Sequence, residues 1–330
     1  MNLIENSMHV YPPQDELPHA PGTHEHWQES FVLFFGDLKQ GVGGYLRVGH
    51  EPNFDGGTAA IWTNIWSPAG TFHKAVDMPL RPEDRLQNGF GCGDDSLRYE
   101  YDGQIRWTVK EEDLHAVLTV VEDGPAIDGY AKGEGKHLGE FVTHHVDTGV
   151  RVRGTVTVKG TRYEVDGYGI RDHGWGIRNW EDLRALRWTV AAFDTHNHFV
   201  AVSFLLADES FTSFGWVVRD DQAIRTKNVD IKAFINSDGS TNRGGISRLT
   251  LETGEVLEAS FEPIFPSMGS WIHGIMCFDT ACVVRWGDRV GVGCFETYNN
   301  QQGGTTRATV FDRATVADGW HPGVKTLNFA

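Results

Sequence analysis

The strongest constraint on the fold is a strict two-residue alternation of side chains over residues 150–159. Valine or glycine occupies every even position, and arginine, threonine or lysine occupies every odd one. Successive side chains of a β-strand point to opposite faces, so this pattern predicts a strand with one buried face. The pair Lys159-Gly160 predicts a turn, after which residues 161–170 run back as a second strand.

Strand-like runs with turn residues between them recur along the chain. They cover residues 30–36, 43–49, 57–67, 97–102, 114–122, 187–194, 198–207, 211–219, 229–234, 247–251, 255–261, 281–286, 290–298 and 306–311. A patch compatible with a helix covers residues 180–186, but no helical periodicity is long enough for βαβ units. We therefore predict an all-β protein of two antiparallel β-barrel or sandwich domains packed together. An irregular lead-in spans residues 1–26, and the two domains span residues 27–180 and 181–330.

Composition supports sheets and excludes several functions. The 19 Phe, 11 Trp and 8 Tyr suit pleated surfaces, and 39 Gly suit many turns. A formal net charge of −16 repels phosphate backbones, so we expect no nucleic-acid partner. No signal peptide and no apolar run long enough for a membrane span is evident. The four cysteines do not have the spacing of a metal site or a redox motif, which predicts reduced, buried thiols in a cytoplasmic protein. A homodimer is possible, and the sequence does not decide the oligomeric state.

The segment 167–180 has the densest set of chemically active side chains. Its last ten residues contain one carboxylate, one imidazole, two guanidinium groups and two indoles. These are Asp172, His173, Arg171, Arg178, Trp175 and Trp180. A strand that ends at Ile170 would place Asp172 at a sheet rim, where nearby indoles would raise the pKa of the carboxyl toward general-acid use. The two arginines oppose that shift, and a structural turn held by Arg–Asp pairs remains the alternative.

The segment Glu140–His145 is a second candidate. In an extended strand His144 and His145 point to opposite faces, so one of them is turned inward. An inward imidazole can act as a general base or bind a substrate oxygen, although a structural histidine is the commoner role. The sequence does not decide between a functional and a structural role for these histidines.

Two His-x-His pairs offer ligands for a metal. His24 and His26 precede Glu29, and His196 and His198 form a second pair. Neither spacing is specific for a metal site. No P-loop and no Gly-x-Ser-x-Gly element is present, so we expect no cofactor.

Three runs together resemble the carotenoid 1,2-hydratase (hydroxyneurosporene synthase)-like superfamily. They are Arg-Asp-His-Gly-Trp-Gly-Ile-Arg at 171–178, Trp-Gln-Glu-Ser at 27–30 and Tyr-Leu-Arg-Val-Gly at 45–49. The resemblance covers most of the chain and implies two lipocalin-like β domains. Members include hydratases and cyclases that act on large apolar isoprenoid or polyketide substrates. Asp172 matches the aspartate that is the proposed proton donor of the carotenoid hydratases, whereas Ile170 and Gly174 replace a tyrosine and an asparagine of their motif.

We therefore expect a cofactor-free lyase or isomerase. It would hydrate, dehydrate, isomerise or cyclise a hydrophobic unsaturated small molecule, such as a terpenoid, steroid or polyketide. Asp172 would transfer the proton, with His145, His144 or His173 as partner base. Aromatic, basic and acidic side chains would form the substrate pocket: Trp27, Glu29, Arg171, Trp175, Arg178, Trp180 and Glu296. Two alternatives stay open, a lipocalin-like carrier without chemistry and a metal-dependent enzyme that uses the His-x-His pairs.

Overall fold

The computed structural model describes residues 13–130, 143–236, 241–273 and 275–300. Within these residues the chain forms twenty-one strands and three short 3-10 helices, at Pro13–Glu16, Pro82–Asp84 and Trp180–Asp182. The strands are β1 Trp27–Asp37, β2 Val42–Glu51, β3 Thr58–Ser67, β4 Gly70–Pro79, β5 Arg85–Leu86, β6 Gly89–Phe90, β7 Leu97–Tyr101, β8 Ile105–Lys110, β9 Leu114–Asp123, β10 Ile127–Asp128, β11 His144–Val158, β12 Thr161–Ile177, β13 Leu183–Ala192, β14 Asn197–Leu206, β15 Phe211–Arg219, β16 Gln222–Ile235, β17 Asn242–Leu251, β18 Val256–Pro263, β19 Met268–Ile272, β20 Ile275–Trp286 and β21 Arg289–Asn300.

The described residues fall into two compact units that divide between Arg178 and Asn179. Every strand pairing in both units is antiparallel. The predicted all-β, two-domain class is therefore confirmed. Among the described residues, no helix is long and apolar enough to cross a membrane.

The N-terminal unit is one open sheet. Its strands follow the order β4-β3-β2-β1-β12-β11-β9-β8-β7-β6-β5, and β10 pairs with β11. The predicted turn at Lys159-Gly160 joins β11 to β12, with positive φ angles of 48° and 79° at the two residues, as a two-residue hairpin requires. Alternate side chains of these strands, among them Leu33, Val150 and Val152, form its apolar core.

The C-terminal unit is a closed barrel. Eight strands follow the order β18-β17-β16-β15-β14-β13-β21-β20, and pairing of β18 with β20 closes the ring, while β19 extends from β20. Closure leaves the eight strands without an open edge between neighbours. Phe199, Ile231, Leu249 and Phe295 belong to the core of this unit.

Two sequence-based expectations about local structure are wrong. The strand that was expected to end at Ile170 continues to Ile177, so Asp172 lies within a central strand and not at a rim. Residues 180–186 hold a single 3-10 turn and the start of β13 instead of a helix. Strand β4 was not predicted, and the predicted strand 306–311 lies outside the described residues.

All four cysteines are buried and free, as the sequence predicted. Burial raises the pKa of the Cys92, Cys282 and Cys294 thiols, which keeps these thiols protonated.

Candidate active site

Strand β12 carries the predicted motif between two neighbours that fix its register. Asp172 pairs with Val32 of β1 on one side and with Asp147 of β11 on the other. His173 pairs with Phe31, a core residue on which its ring stacks at 4.0 Å between centroids. Because adjacent strand residues face opposite sides of a sheet, Asp172 and His173 lie on opposite faces of β12. The motif therefore serves two separate groups of side chains.

The first group is a buried carboxylate–imidazole–carboxylate set. The His145 Nε2 atom lies 3.2 Å from Asp172 Oδ2 and 3.5 Å from Asp147 Oδ2. All three residues are buried. His145 and Asp147 are two residues apart on β11, so they share the face that Asp172 presents from β12.

The electrostatics of this group raise the pKa of both Asp172 and His145. Burial raises the pKa of the Asp172 carboxyl to about 6, and the negative charge of Asp147 also raises it. The positive charges of His145, Arg178 and Arg47 lower the pKa and only partly offset this rise. Burial lowers the pKa of His145, but the two carboxylates outweigh burial, so the net change is upward. The pKa of each group is therefore raised, which favours the protonated form of both at a His145 Nε2–Asp172 Oδ2 distance of 3.2 Å.

Aromatic and basic groups surround the pair. The Tyr130 ring packs edge-on against the His145 ring, with 5.3 Å between centroids. Burial raises the pKa of the Tyr130 hydroxyl far above its ordinary value, so it remains a neutral hydrogen-bonding group. Arg178 and Arg47 supply the positive potential at Asp172. Asp147, Tyr130 and Arg47 were not predicted. Asp147 could have been found, because its spacing from His145 is that of one strand face.

The second group occupies the opposite face of β12, around Glu29. Glu29 Oε1 lies 3.1 Å from His173 Nε2 and 2.8 Å from His19 Nδ1, and Glu29 Oε2 lies 3.1 Å from Arg85 Nη2. Burial raises the pKa of the Glu29 carboxyl, but the hydrogen bonds from His173 and His19 outweigh burial and lower the pKa to about 2. Glu29 is therefore an anion held by several donors.

Several predicted site residues belong to this second group. Trp175 stacks on the rings of His19 and His144, at 4.2 Å and 4.8 Å between centroids. His144 Nδ1 lies 3.2 Å from Asp128 Oδ2, on the face opposite to His145. Two further placements complete the set. Arg171 binds Glu16 at 2.6 Å, and Trp27 is buried with the Arg85 guanidinium over its ring at 5.8 Å.

The C-terminal unit contains the two remaining predicted residues. Trp180 stacks on Tyr298 with 6.4 Å between ring centroids. The Tyr298 hydroxyl donates to Glu296 Oε2 at 2.7 Å, and Glu296 pairs across the sheet with Asp279. The predicted candidate Glu140 lies outside the described residues, as do its neighbours at 141 and 142.

Three clusters among the described residues place possible metal ligands within 4.8 Å of one another. They are His19–Glu29–His173, His145–Asp147–Asp172 and Asp279–Cys294–Glu296. The predicted His-x-His ligands belong to none of them. His196 lies 2.7 Å from Asp221, and burial lowers the pKa of His198 to about 4. Among the residues that the structure describes, no ligand cluster therefore supports the hypothesis of a metal site built on the His-x-His pairs.

Solved structures similar to this chain share its fold at low sequence identity. A putative AttH from Nitrosomonas europaea is 12% identical with a TM-score of 0.66, and covers 91% of this chain and 99% of its own. Kievitone hydratase from Nectria haematococca is 9% identical with a TM-score of 0.60, covering 91% of this chain and 96% of its own. CghA, in complex with Sch210972, is 9% identical with a TM-score of 0.60, covering 89% of this chain and 97% of its own.

The resemblance to hydratase-like double β-domain proteins is thus confirmed at the level of the fold. No curated protein matches the chain. A family model described as a domain of unknown function (DUF7064) matches residues 12–301, and the chain therefore belongs to this family.

Proposed function

We propose that the protein is a hydratase- or cyclase-type enzyme that transfers a proton to or from an unsaturated hydrophobic small molecule without a cofactor. The observation that carries the proposal is the buried Asp172–His145 pair, 3.2 Å apart, in which burial raises the pKa of the carboxyl. A carboxyl group whose pKa is near the working pH can both donate and recover a proton. A double β-domain neighbour that is named a hydratase supports this class of reaction.

A hydration illustrates how the pair would act. Neutral Asp172 gives its proton to one alkene carbon, and the π electrons form that C–H bond. Water adds to the cationic carbon and loses a proton to His145. Transfer of that proton across 3.2 Å returns Asp172 to its neutral form, so the net change is addition of one water to one double bond. The reverse sequence dehydrates, and proton loss from carbon instead of water addition isomerises.

The surrounding residues have supporting roles in this proposal. Asp147 holds the imidazolium form of His145 by its negative charge, at 3.5 Å. The Tyr130 ring packs edge-on against the imidazole and helps to fix the plane of the His145 ring. Arg178 and Arg47 favour the ionised form of Asp172, which limits the rise of its pKa.

Isotope labelling can test the proposal across a panel of candidate substrates. The protein would be incubated in ¹⁸O-water and in D₂O with kievitone and a set of isoprenoid, steroid and polyketide alkenes. Mass spectrometry would detect added ¹⁸O-water or exchanged deuterium. We expect Asp172→Asn to reduce turnover by roughly 100-fold or more. Asp166→Asn is the matched control, because Asp166 lies on the same strand but is exposed and pairs with Arg151.

Two results would contradict the proposal. Full turnover by a folded Asp172→Asn variant would remove Asp172 from the chemistry. Tight binding of several compounds, with every one recovered unchanged and unlabelled, would indicate a carrier instead of an enzyme. Tryptophan fluorescence quenching provides the binding measurement for both variants.

A further inference from the structure

We propose that His19, Glu29 and His173 form a binding site for one divalent transition-metal ion such as Zn²⁺, on the face of β12 opposite to Asp172. The three ligands come from the segment before β1, from β1 and from β12. A bound ion would fasten the segment around His19 to the sheet. This inference is independent of the proposed proton chemistry, because it uses none of the Asp172 group.

The donor atoms are of the kind and spacing that such an ion requires. His19 Nδ1 and His173 Nε2 lie 2.8 Å and 3.1 Å from the same oxygen, Glu29 Oε1, and the three atoms lie within 4.8 Å of one another. Ligand atoms bound at about 2.0–2.1 Å from Zn²⁺ have mutual separations in this range. Two imidazoles and one carboxylate are a common three-ligand set that leaves a further position for water.

Neighbouring groups orient the ligands. Arg85 donates to Glu29 Oε2 at 3.1 Å, and the main-chain N–H of His19 donates to both carboxylate oxygens, at 2.9 Å to Oε1 and 3.1 Å to Oε2, which fixes the plane of the carboxylate. His19 Nε2, the nitrogen not used for the ion, lies 3.8 Å from Asp15. Phe31 and Trp175 stack on the rings of His173 and His19. A carboxylate behind a ligating histidine and fixed ring planes are usual around metal sites.

Access and charge also bear on the site. His19 is a quarter exposed, whereas Glu29 and His173 are buried, so an ion would enter past His19. The Arg85 charge opposes a cation, and the carboxylates Glu29 and Asp15 attract it. The ion would replace both histidine–Glu29 hydrogen bonds by coordination bonds and keep the Arg85 contact.

Metal titration of untagged full-length protein tests the inference. Zn²⁺ would be followed by calorimetry and thermal unfolding, and Co²⁺ by its visible absorption. We expect one ion per chain, a higher Tm with Zn²⁺, and an absorption typical of a nitrogen and oxygen ligand set. His19→Asn should weaken binding by at least about tenfold. His19 is the primary target because a partly exposed side chain can be replaced without opening the core.

The control is the double variant His24→Asn/His26→Asn, which removes two other imidazoles from the same segment and should bind the ion as the parent does. Asp172→Asn should also bind normally, which separates this test from that of the catalytic proposal. Absence of saturable one-to-one binding, or equal affinity in the His19→Asn variant, would overturn the inference. His173→Gln, if folded, should show the same loss as His19→Asn.

Discussion

Asp172 combines burial with a titratable carboxyl, and this combination has a cost in stability. Its pKa is 3.8 in an ordinary environment and about 6 in the folded protein, chiefly because of burial. Between these values the native state binds more protons than the unfolded state, so the free energy of unfolding falls as pH rises. The stabilising contribution of protonated Asp172 is fully present below pH 3.8 and is lost as pH rises through about 6.

Asp172→Asn should therefore increase stability at high pH. Above pH 6 we expect the variant to have a higher Tm than the parent. Its free energy of unfolding should be greater by at most about 3 kcal/mol, because one pKa unit is worth about 1.4 kcal/mol. Near pH 4 the gain should vanish. Thermal melts of both proteins from pH 4 to pH 8 measure it. Asp166→Asn, the exposed control whose carboxyl pKa is lowered by Arg151 and Arg153, should show no such gain. A less stable Asp172→Asn variant at pH 8 would contradict the argument.

The reactivity of the cysteine thiols can show whether the structure opens around each cysteine. All four are buried, and burial keeps the thiols of Cys92, Cys282 and Cys294 protonated. Since the thiolate is the reactive form, we expect almost no labelling of the native protein by a thiol reagent at pH 7 and four labels per chain in denaturant. Mass spectrometry counts the labels. Rapid labelling of one native thiol would show local opening around that cysteine.

The pairing of β12 with β1 depends on a glycine where the two backbones come close together. A Cβ atom on Gly169 would lie only 1.9 Å from the carbonyl oxygen of Phe34, so the backbones would have to separate. We expect Gly169→Ala to lower stability by about 1–3 kcal/mol or more, the usual cost of overpacking. Gly91→Ala is the control, because its added Cβ would meet nothing nearer than 3.6 Å. Chemical denaturation of both variants compares them, and equal midpoints would refute the close approach.

The same strand shows how far the sequence predicts this element. Residues 150–158 alternate because only one face of that part of β11 is apolar, so the strand, its turn and the start of β12 were predictable. The end of β12 was not, because Arg171, Asp172 and His173 are all buried and polar, and they interrupt the two-residue pattern. Strand β4 is half exposed and has no clear alternation, which is why it was missed.

The sequence was enough to pick out individual candidate site residues, but not to predict which of them contact one another. Asp172 and His145 were found from local density and strand spacing, but their contact depends on the register between β11 and β12. The Glu29–His173 pair joins residues 144 positions apart, a separation that no local pattern spans. His19, which lies in an irregular segment before β1, had no pattern to mark it.

At the scale of the whole molecule, the two units differ in whether their sheets have free edge strands. The N-terminal sheet ends at β4 and β5, each with a single strand neighbour among the described residues. The C-terminal barrel closes through the pairing of β18 with β20. An edge strand leaves alternate backbone N–H groups without a strand partner, whereas a strand of a closed barrel has partners on both sides. The two units should therefore differ in local opening.

Hydrogen exchange can measure this difference on two strands of ten residues each. β4 pairs only with β3, and β13 pairs with both β14 and β21. About half of the β4 amides should exchange quickly because they face no neighbouring strand, and the β13 amides should exchange slowly because both rows of hydrogen bonds must open. Mass spectrometry of peptides from residues 70–79 and 183–192 provides the rates. If the β4 peptide were protected as strongly as the β13 peptide, the free edge of β4 would have to be covered by another group.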